Sequence, residues 1–203
     1  MNTLNRKQQP DIVIPSSRNI RLPVMHRLGG GVPVYLIGSG TEDLLRIEFV
    51  INAGQLMEDV HLSATTANAM LTEGTSKYNA MTVNDLIDRT GAAFTHNADK
   101  DSACLIAVTL TRKLDEVMAL AEEVLFHPAF PEKEFRMLME KRIQTFLTNR
   151  QKTSVVAREE FYRAILGNDN PYGRVTVLED YTAMNPEIAG KFHSEHYTRG
   201  NMY

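Results

Sequence analysis

Six histidines and a single cysteine are the side chains from which metal or thiol chemistry would have to come. The tightest grouping is His193-Ser194-Glu195-His196. Two histidines three residues apart share a helix face, as a pair of zinc ligands must. Zinc hydrolysis also needs a third protein ligand, an open position for water and a carboxylate to take the water's proton. Nothing in the sequence supplies that third ligand. The segment reads instead as an exposed helix end, where histidine complements the negative pole of the helix dipole. His61 precedes Thr65 by four residues and shares its face, but no acid stands at the offsets a site there would need. His127 before Pro128 reads as a helix terminator. His96 alternates with Phe94 along a strand and faces either solvent or a bound peptide. Gly29-Gly30-Gly31 lacks a following Lys-Ser/Thr, so it makes a tight turn and not a phosphate loop.

Composition narrows the function classes. A length of 203 residues suits one substantial core, or two small ones at most. Hydrophobic residues at 43% and charged residues at 23% are ordinary for a globular domain. The formal charge of −3 gives no electrostatic reason to expect nucleic acid. Basic groups such as Lys141-Arg142 fall on a Glu-rich helix and read as a solvated face. Cys104 lies in an apolar alternating run and reads as a small buried hydrophobe, with no partner for a disulfide within the chain. Met1 to Pro10 carries no apolar stretch of the signal-peptide kind, and no run is long enough for a membrane span. The expectation is a cytoplasmic protein with no membrane partner.

The elements that must position these residues follow from periodicity. Residues 1 to about 24, with Pro10, Pro15 and Pro23, read as an extended lead. Strands are predicted at Val34–Ile37 and Leu45–Ile51. A helix follows with Val60, Ala64, Ala67 and Leu71 on its buried face. Thr82-Val83-Asn84-Asp85 offers the cap of a second helix ending at Gly91. Ala92–Ala98 and Ala103–Thr111 form a hairpin turning at residues 97–101. An amphipathic helix runs from Leu114 to Leu125. Pro131 opens a long helix with Phe135, Leu138, Met139, Ile143 and Phe146 in its stripe. Ser154 caps another helix running to Leu166. Asn185-Pro186 starts the last one, with Ile188 and Phe192 inward. Strands followed by groups of helices predict an α+β fold, a mixed, largely antiparallel sheet with helices on one face.

Within those elements, residues 60–75 read V-H-L-S-A-T-T-A-N-A-M-L-T-E-G-T. This segment resembles the inverzincin peptidases, the group of pitrilysin, insulin-degrading enzyme and the mitochondrial processing peptidase. In them the helix carries His-x-x-Glu-His, then a Met-Leu-like pair and a Gly-Thr exit. Counting back from Gly74-Thr75, the motif positions are Thr65, Thr66, Ala67, Asn68 and Ala69. Both histidines and the glutamate are absent. The resemblance extends through Gly91-Ala92-Ala93-Phe94, His127-Pro128-Ala129-Phe130, Asn170-Pro171-Tyr172-Gly173 and Tyr197 to Met202. It implies that the third ligand position, a glutamate in active members, is Thr145, and that the accessory glutamate is Leu138.

The resemblance therefore implies a degenerate site at Thr65, Asn68, Ala69 and Thr145 that holds no metal and needs no cofactor. Asn68, freed from the metal, is expected to matter little to stability, and Leu71 a great deal. The implied role is a non-catalytic domain that pairs with an active inverzincin subunit bearing an intact zinc motif and helps hold peptide substrate. The candidate peptide edge is Ala93, Phe94, Thr95 and His96. Two alternatives remain open here. One is an active zinc metalloendopeptidase with an unconventional site drawn from His61, His96 or residues beyond Tyr203; the other is a free-standing peptide-binding module. Residues 25–203 would be the peptidase-like domain, a fragment of a longer chain lacking its last strand or strands.

Overall fold

The computed structural model describes residues 21–38 and 40–203; most of the predicted lead lies outside them. The predicted strand at Val34 pairs with one not anticipated. Strands β1 (Val24–Arg27) and β2 (Pro33–Leu36) form an antiparallel hairpin with Met25 opposite Tyr35. Gly31 turns it at φ +83°, a conformation glycine adopts without penalty.

The second sheet includes the strand read as a candidate peptide edge. Its strands are β3 (Leu44–Ile51), β4 (Ala93–Ala98) and β5 (Ala103–Leu110), in the order β3-β5-β4 and antiparallel throughout. β5 is central, with Leu105 between Phe49 and His96. Period-two alternation sends Ala103, Leu105, Ala107 and Thr109 to one face, where they are buried. Phe94, His96 and Ala98 share that face, whereas Ala93, Thr95 and Asn97 are exposed.

Seven helices follow or interrupt the strands among the described residues: α1 (Ser63–Ala69), α2 (Ala80–Thr90), α3 (Leu114–Phe126), α4 (Glu132–Arg150), α5 (Thr153–Leu166), α6 (Leu178–Thr182) and α7 (Pro186–His196). The core joins Ile51 and Leu105 of the sheet to Ala64 and Ala67 of α1, Leu71, Val83 of α2, Val124 of α3 and Phe192 of α7. A smaller cluster of Leu62, Met70, Phe135, Met139 and Met184 fastens α4 over α1. The expected α+β layer pair is thus realised, with helices on one sheet face.

Several local expectations are corrected. α1 begins at Ser63, so Val60 precedes it and is exposed, while Ala64, Ala67 and Leu71 are fully buried as expected. The cap of α2 is Asn79, whose side chain accepts from the Thr82 amide, so Thr82 lies inside the helix. α5 starts at Thr153 after Lys152, so Ser154 is not its cap. In α4 only Phe135 and Met139 are buried; Leu138, Ile143 and Phe146 are half-buried. α6 had no predicted counterpart. His193 is buried rather than exposed: its Nε2 donates to the Leu125 carbonyl at 2.8 Å, and its ring stacks on Tyr197.

Two features place the site. Gly54 lies against the β4–β5 turn so closely that a Cβ there would overlap the backbone of Asp101 and Ser102. The amides of Gln55 and Leu56 donate to the Asp99 and Lys100 carbonyls at 3.0 and 2.8 Å. At the other edge of the sheet, Val50 and Tyr203 exchange backbone hydrogen bonds at 2.8 and 2.9 Å.

Candidate functional site

The chain enters α1 through Leu62, held at φ +73°. That geometry aims the first amides of the helix at the Glu58 carboxylate, which accepts from Ala64 N–H at 2.8 Å and Leu62 N–H at 3.2 Å. A buried negative charge at the positive pole of the helix dipole is favourable. Glu58 also lies 3.3 Å from Nδ1 of His61, whose Nε2 is 2.9 Å from the Thr176 hydroxyl. This acid partner of His61 was not foreseen, although the two residues alone make no metal site. Glu58 stands three residues before it, in extended backbone between a 3-10 turn (Gln55–Met57) and a bend, outside any helix. With both ring nitrogens engaged, His61 ties residues 167–177 to the start of α1.

Of the degenerate motif positions, α1 carries Thr65 and Ala69, both half-buried, and Asn68, fully buried. Asn68 Nδ2 donates to the Cys104 carbonyl and to the Tyr197 hydroxyl, each at 3.2 Å. Burial pushes the Tyr197 phenol up, so it stays neutral. Asn68 is thus a cross-link between α1, β5 and the end of α7, against the expectation that it matters little.

The residue that sequence reasoning missed is Arg142. It projects from α4 onto the motif instead of into solvent. Its Nη1 donates to Thr66 Oγ1 at 2.8 Å and more loosely to Thr65 Oγ1 at 3.5 Å, and its Nη2 donates to the Thr65 carbonyl at 2.9 Å. Leu138, Arg142 and Phe146 lie four residues apart along α4, so they share a face. That stripe was legible, but an arginine within it read as solvated. Burial lowers the guanidinium's pKa, yet an arginine remains charged at any physiological pH. Thr145 is not brought into this cluster. It is exposed, and its hydroxyl donates to the Lys141 carbonyl of its own helix.

This donor set does not fit a zinc ion. Ala69 offers no lone pair, Thr65 a neutral hydroxyl, and Asn68 an amide already hydrogen-bonded. A fixed positive charge already contacts Thr65 and Thr66. Among the described residues no group of three or more His, Cys, Asp or Glu side chains could hold a metal.

The expected peptide edge is brought beside this cluster. β4 is the outer strand of its sheet, so its outer side meets no further strand among the described residues. Phe94 and His96 turn toward the helices, while Ala93 and Thr95 turn away. Burial, and then the charge of Arg142, hold His96 below the ordinary imidazole range, so it is neutral at pH 7. Next to Glu58 and His61 lies a polar cavity of about 390 Å³, lined also by Gln55, Asn168, Asp169, Pro171 and Arg174. Lys100 ties two of these lining residues together, donating to Gln55 Oε1 at 2.6 Å and the Pro171 carbonyl at 2.8 Å.

Comparison with known proteins gives the following. A family model described as insulinase (peptidase family M16) matches residues 34–175. Curated proteins give no match. Among solved structures, the inactive domain of peptidase M16 from Pseudomonas fluorescens is similar with a TM-score of 0.83 at 20% identity, over 89% of this chain and 45% of that one. A protease from Helicobacter pylori gives 0.75 at 16% identity, over 90% and 45%. The periplasmic protease PqqL from Escherichia coli gives 0.76 at 17% identity, over 94% and 22%. At these identities the likeness is one of fold, and the chain spans less than half the length of each of these structures.

Proposed function

Because the chain belongs to the insulinase family, peptidase family M16, we propose that it is a non-catalytic member that pairs with a zinc-bearing domain of the same family and helps hold peptide substrate. The observation that carries this reading is Arg142. A guanidinium bonded to Thr65 and Thr66 puts a permanent cation against the motif residues of α1, and no carboxylate stands where the general base would be. The family's helix and sheet are retained while the donor set is not.

Peptide holding rests on β4. An outer strand offers unpaired N–H and C=O groups to an extended peptide, which gives affinity largely independent of sequence. Pairing is supported by the length relation, since the similar solved chains hold at least as much sequence again as this fold occupies.

The test is elemental analysis of the purified chain after dialysis with zinc, run beside a peptide-hydrolysis assay. The expected result is no stoichiometric zinc and no hydrolysis. Zinc near one ion per chain, removed by chelator together with peptidase activity, would establish the catalytic alternative instead. Copurification with a family member bearing an intact motif distinguishes the paired domain from a free-standing peptide binder.

A further inference from the structure

Arg142 has more donors than the fold uses. A guanidinium carries five N–H groups. Three contacts engage it, all to neutral oxygens: Thr66 Oγ1, Thr65 Oγ1 and the Thr65 carbonyl. Among the described residues it forms no ion pair. The acid whose charge reaches it, Glu58, already accepts from the Leu62 and Ala64 amides and lies against His61. Tyr181, also near, is kept neutral because burial pushes its phenol up. The result is a half-buried cation with N–H groups to spare and no counter-charge of its own.

Removing a charge from water without pairing it is costly. Such a group stands ready for an anionic ligand, because ligand binding supplies the missing partner. Its position limits which anion can arrive. Arg142 is bonded to Thr65 and Thr66 of α1, and α1 packs against β4. A ligand reaching it from the sheet edge is an extended peptide, whose one anionic chemistry is the carboxylate. The planar guanidinium matches a carboxylate through paired, parallel N–H···O bonds.

We infer that Arg142 is a carboxylate-binding residue that selects peptides lying along β4 by their free C-terminus or by an Asp or Glu side chain. This deepens the peptide-holding reading above and rests on it. The domain would then prefer acidic or already cleaved peptides to neutral, blocked ones.

The experiment uses the whole chain and three randomised N-acetyl hexapeptide libraries, with retention quantified by mass spectrometry. One library lacks Asp and Glu and ends in a free acid. The second is the same but ends in a carboxamide. The third ends in a carboxamide and contains one Glu. Retention of the free-acid or the Glu library at least roughly tenfold above the neutral amide is expected, and whichever is preferred identifies the source of the carboxylate. Arg142→Gln should abolish that preference, so that the three libraries are retained equally, and Arg142→Lys should restore part of it. Equal retention of all three libraries by the wild-type chain overturns the carboxylate site but leaves peptide holding intact. A preference that survives in a folded Arg142→Gln chain also overturns it. No retention of any library overturns both readings.

Discussion

The side-chain amide of Asn68 donates to the hydroxyl of Tyr197 across 3.2 Å, joining the last turn of α1 to the residue that caps the end of α7. The same amide nitrogen holds the Cys104 carbonyl on the central strand. Asn68→Ala would leave both oxygens without this donor in a site closed to water. The expected cost is about 1–3 kcal/mol, somewhat below the about 2–5 kcal/mol expected for Leu71→Ala. Urea unfolding of the two variants decides it. An Asn68→Ala chain as stable as wild type would mean that these bonds contribute nothing net.

Leu62 sets two effects against each other. Its φ of +73° costs an L-residue about 1 kcal/mol, which glycine would recover. Its side chain, however, is buried with Met70, Phe135, Met139 and Met184, and deleting such a group costs about 2–5 kcal/mol. Burial outweighs strain, so Leu62→Gly should destabilise by roughly 1–4 kcal/mol. A rise in the denaturation midpoint would show that the side chain packs poorly and strain dominates.

Rebuilding the zinc motif should fail for a reason beyond the missing ligands. A chain carrying Thr65→His, Asn68→Glu, Ala69→His and Thr145→Glu still has the Arg142 guanidinium against α1, a like charge for any incoming metal. Little zinc is expected by elemental analysis, and because position 145 lies outside the cluster, adding Arg142→Gln should raise occupancy only in part. Full occupancy in the fourfold variant alone would remove Arg142 as an obstacle.

Stability should fall as the medium is acidified from neutrality. Burial depresses His193, although its bond to the Leu125 carbonyl opposes this, and burial with the Arg142 charge depresses His96. With folded values below the unfolded value of about 6.5, the unfolded chain binds more protons in that range. Their contribution is complete above about pH 6.5 and is lost as pH falls through the folded values. Burial alone would raise Glu123, but hydrogen bonds from Lys77 and Thr75 and the Lys77 charge bring it below the usual carboxyl range. Its share persists above about pH 4.3 and disappears at more acidic pH. Denaturant midpoints measured from pH 7.5 to 3 should decline in two stages, and a His96→Asn, His193→Asn chain should lack the first.

Proline in the outer strand tests peptide holding directly. Placed at Phe94 or Thr95, whichever directs its N–H away from β5, it removes one donor available to a docked strand. Peptide affinity of the reconstituted assembly should drop with the partner's zinc content unchanged, and a thermal melt reports folding separately. Unchanged affinity in a folded variant would exclude β4 from the binding surface.

The sheet, the long helices and the degenerate motif were legible because each rests on a regular period or a fixed spacing. Leu71 could be placed by helical stride alone. Cys104, read as buried, is half-buried on the face of β5 opposite Leu105, because that strand is apolar on both faces and alternation does not choose between them. Arg142 could not be placed by stride, because an arginine in an amphipathic stripe reads as a solvated rim until something neutral is found beneath it. Glu58 was hidden for another reason. It reaches the amides of Leu62 and Ala64 across a bend, where no sequence period relates donor to acceptor. Asn68 was misjudged because its partners, Cys104 and Tyr197, come from distant parts of the chain.

Gly54 has no side chain to touch anything, yet it governs two distant surfaces together. The turn packed against it, residues 99–102, sets where β4 ends, and the stretch that follows it delivers Glu58 to the start of α1. Any side chain at position 54 would wedge these apart, tilting the outer strand and withdrawing the carboxylate from the helix in one movement. On the peptide-holding reading proposed above, a defect mapped to this glycine would look like lost recognition of peptide. Its origin would be mechanical: the spacing between two loops.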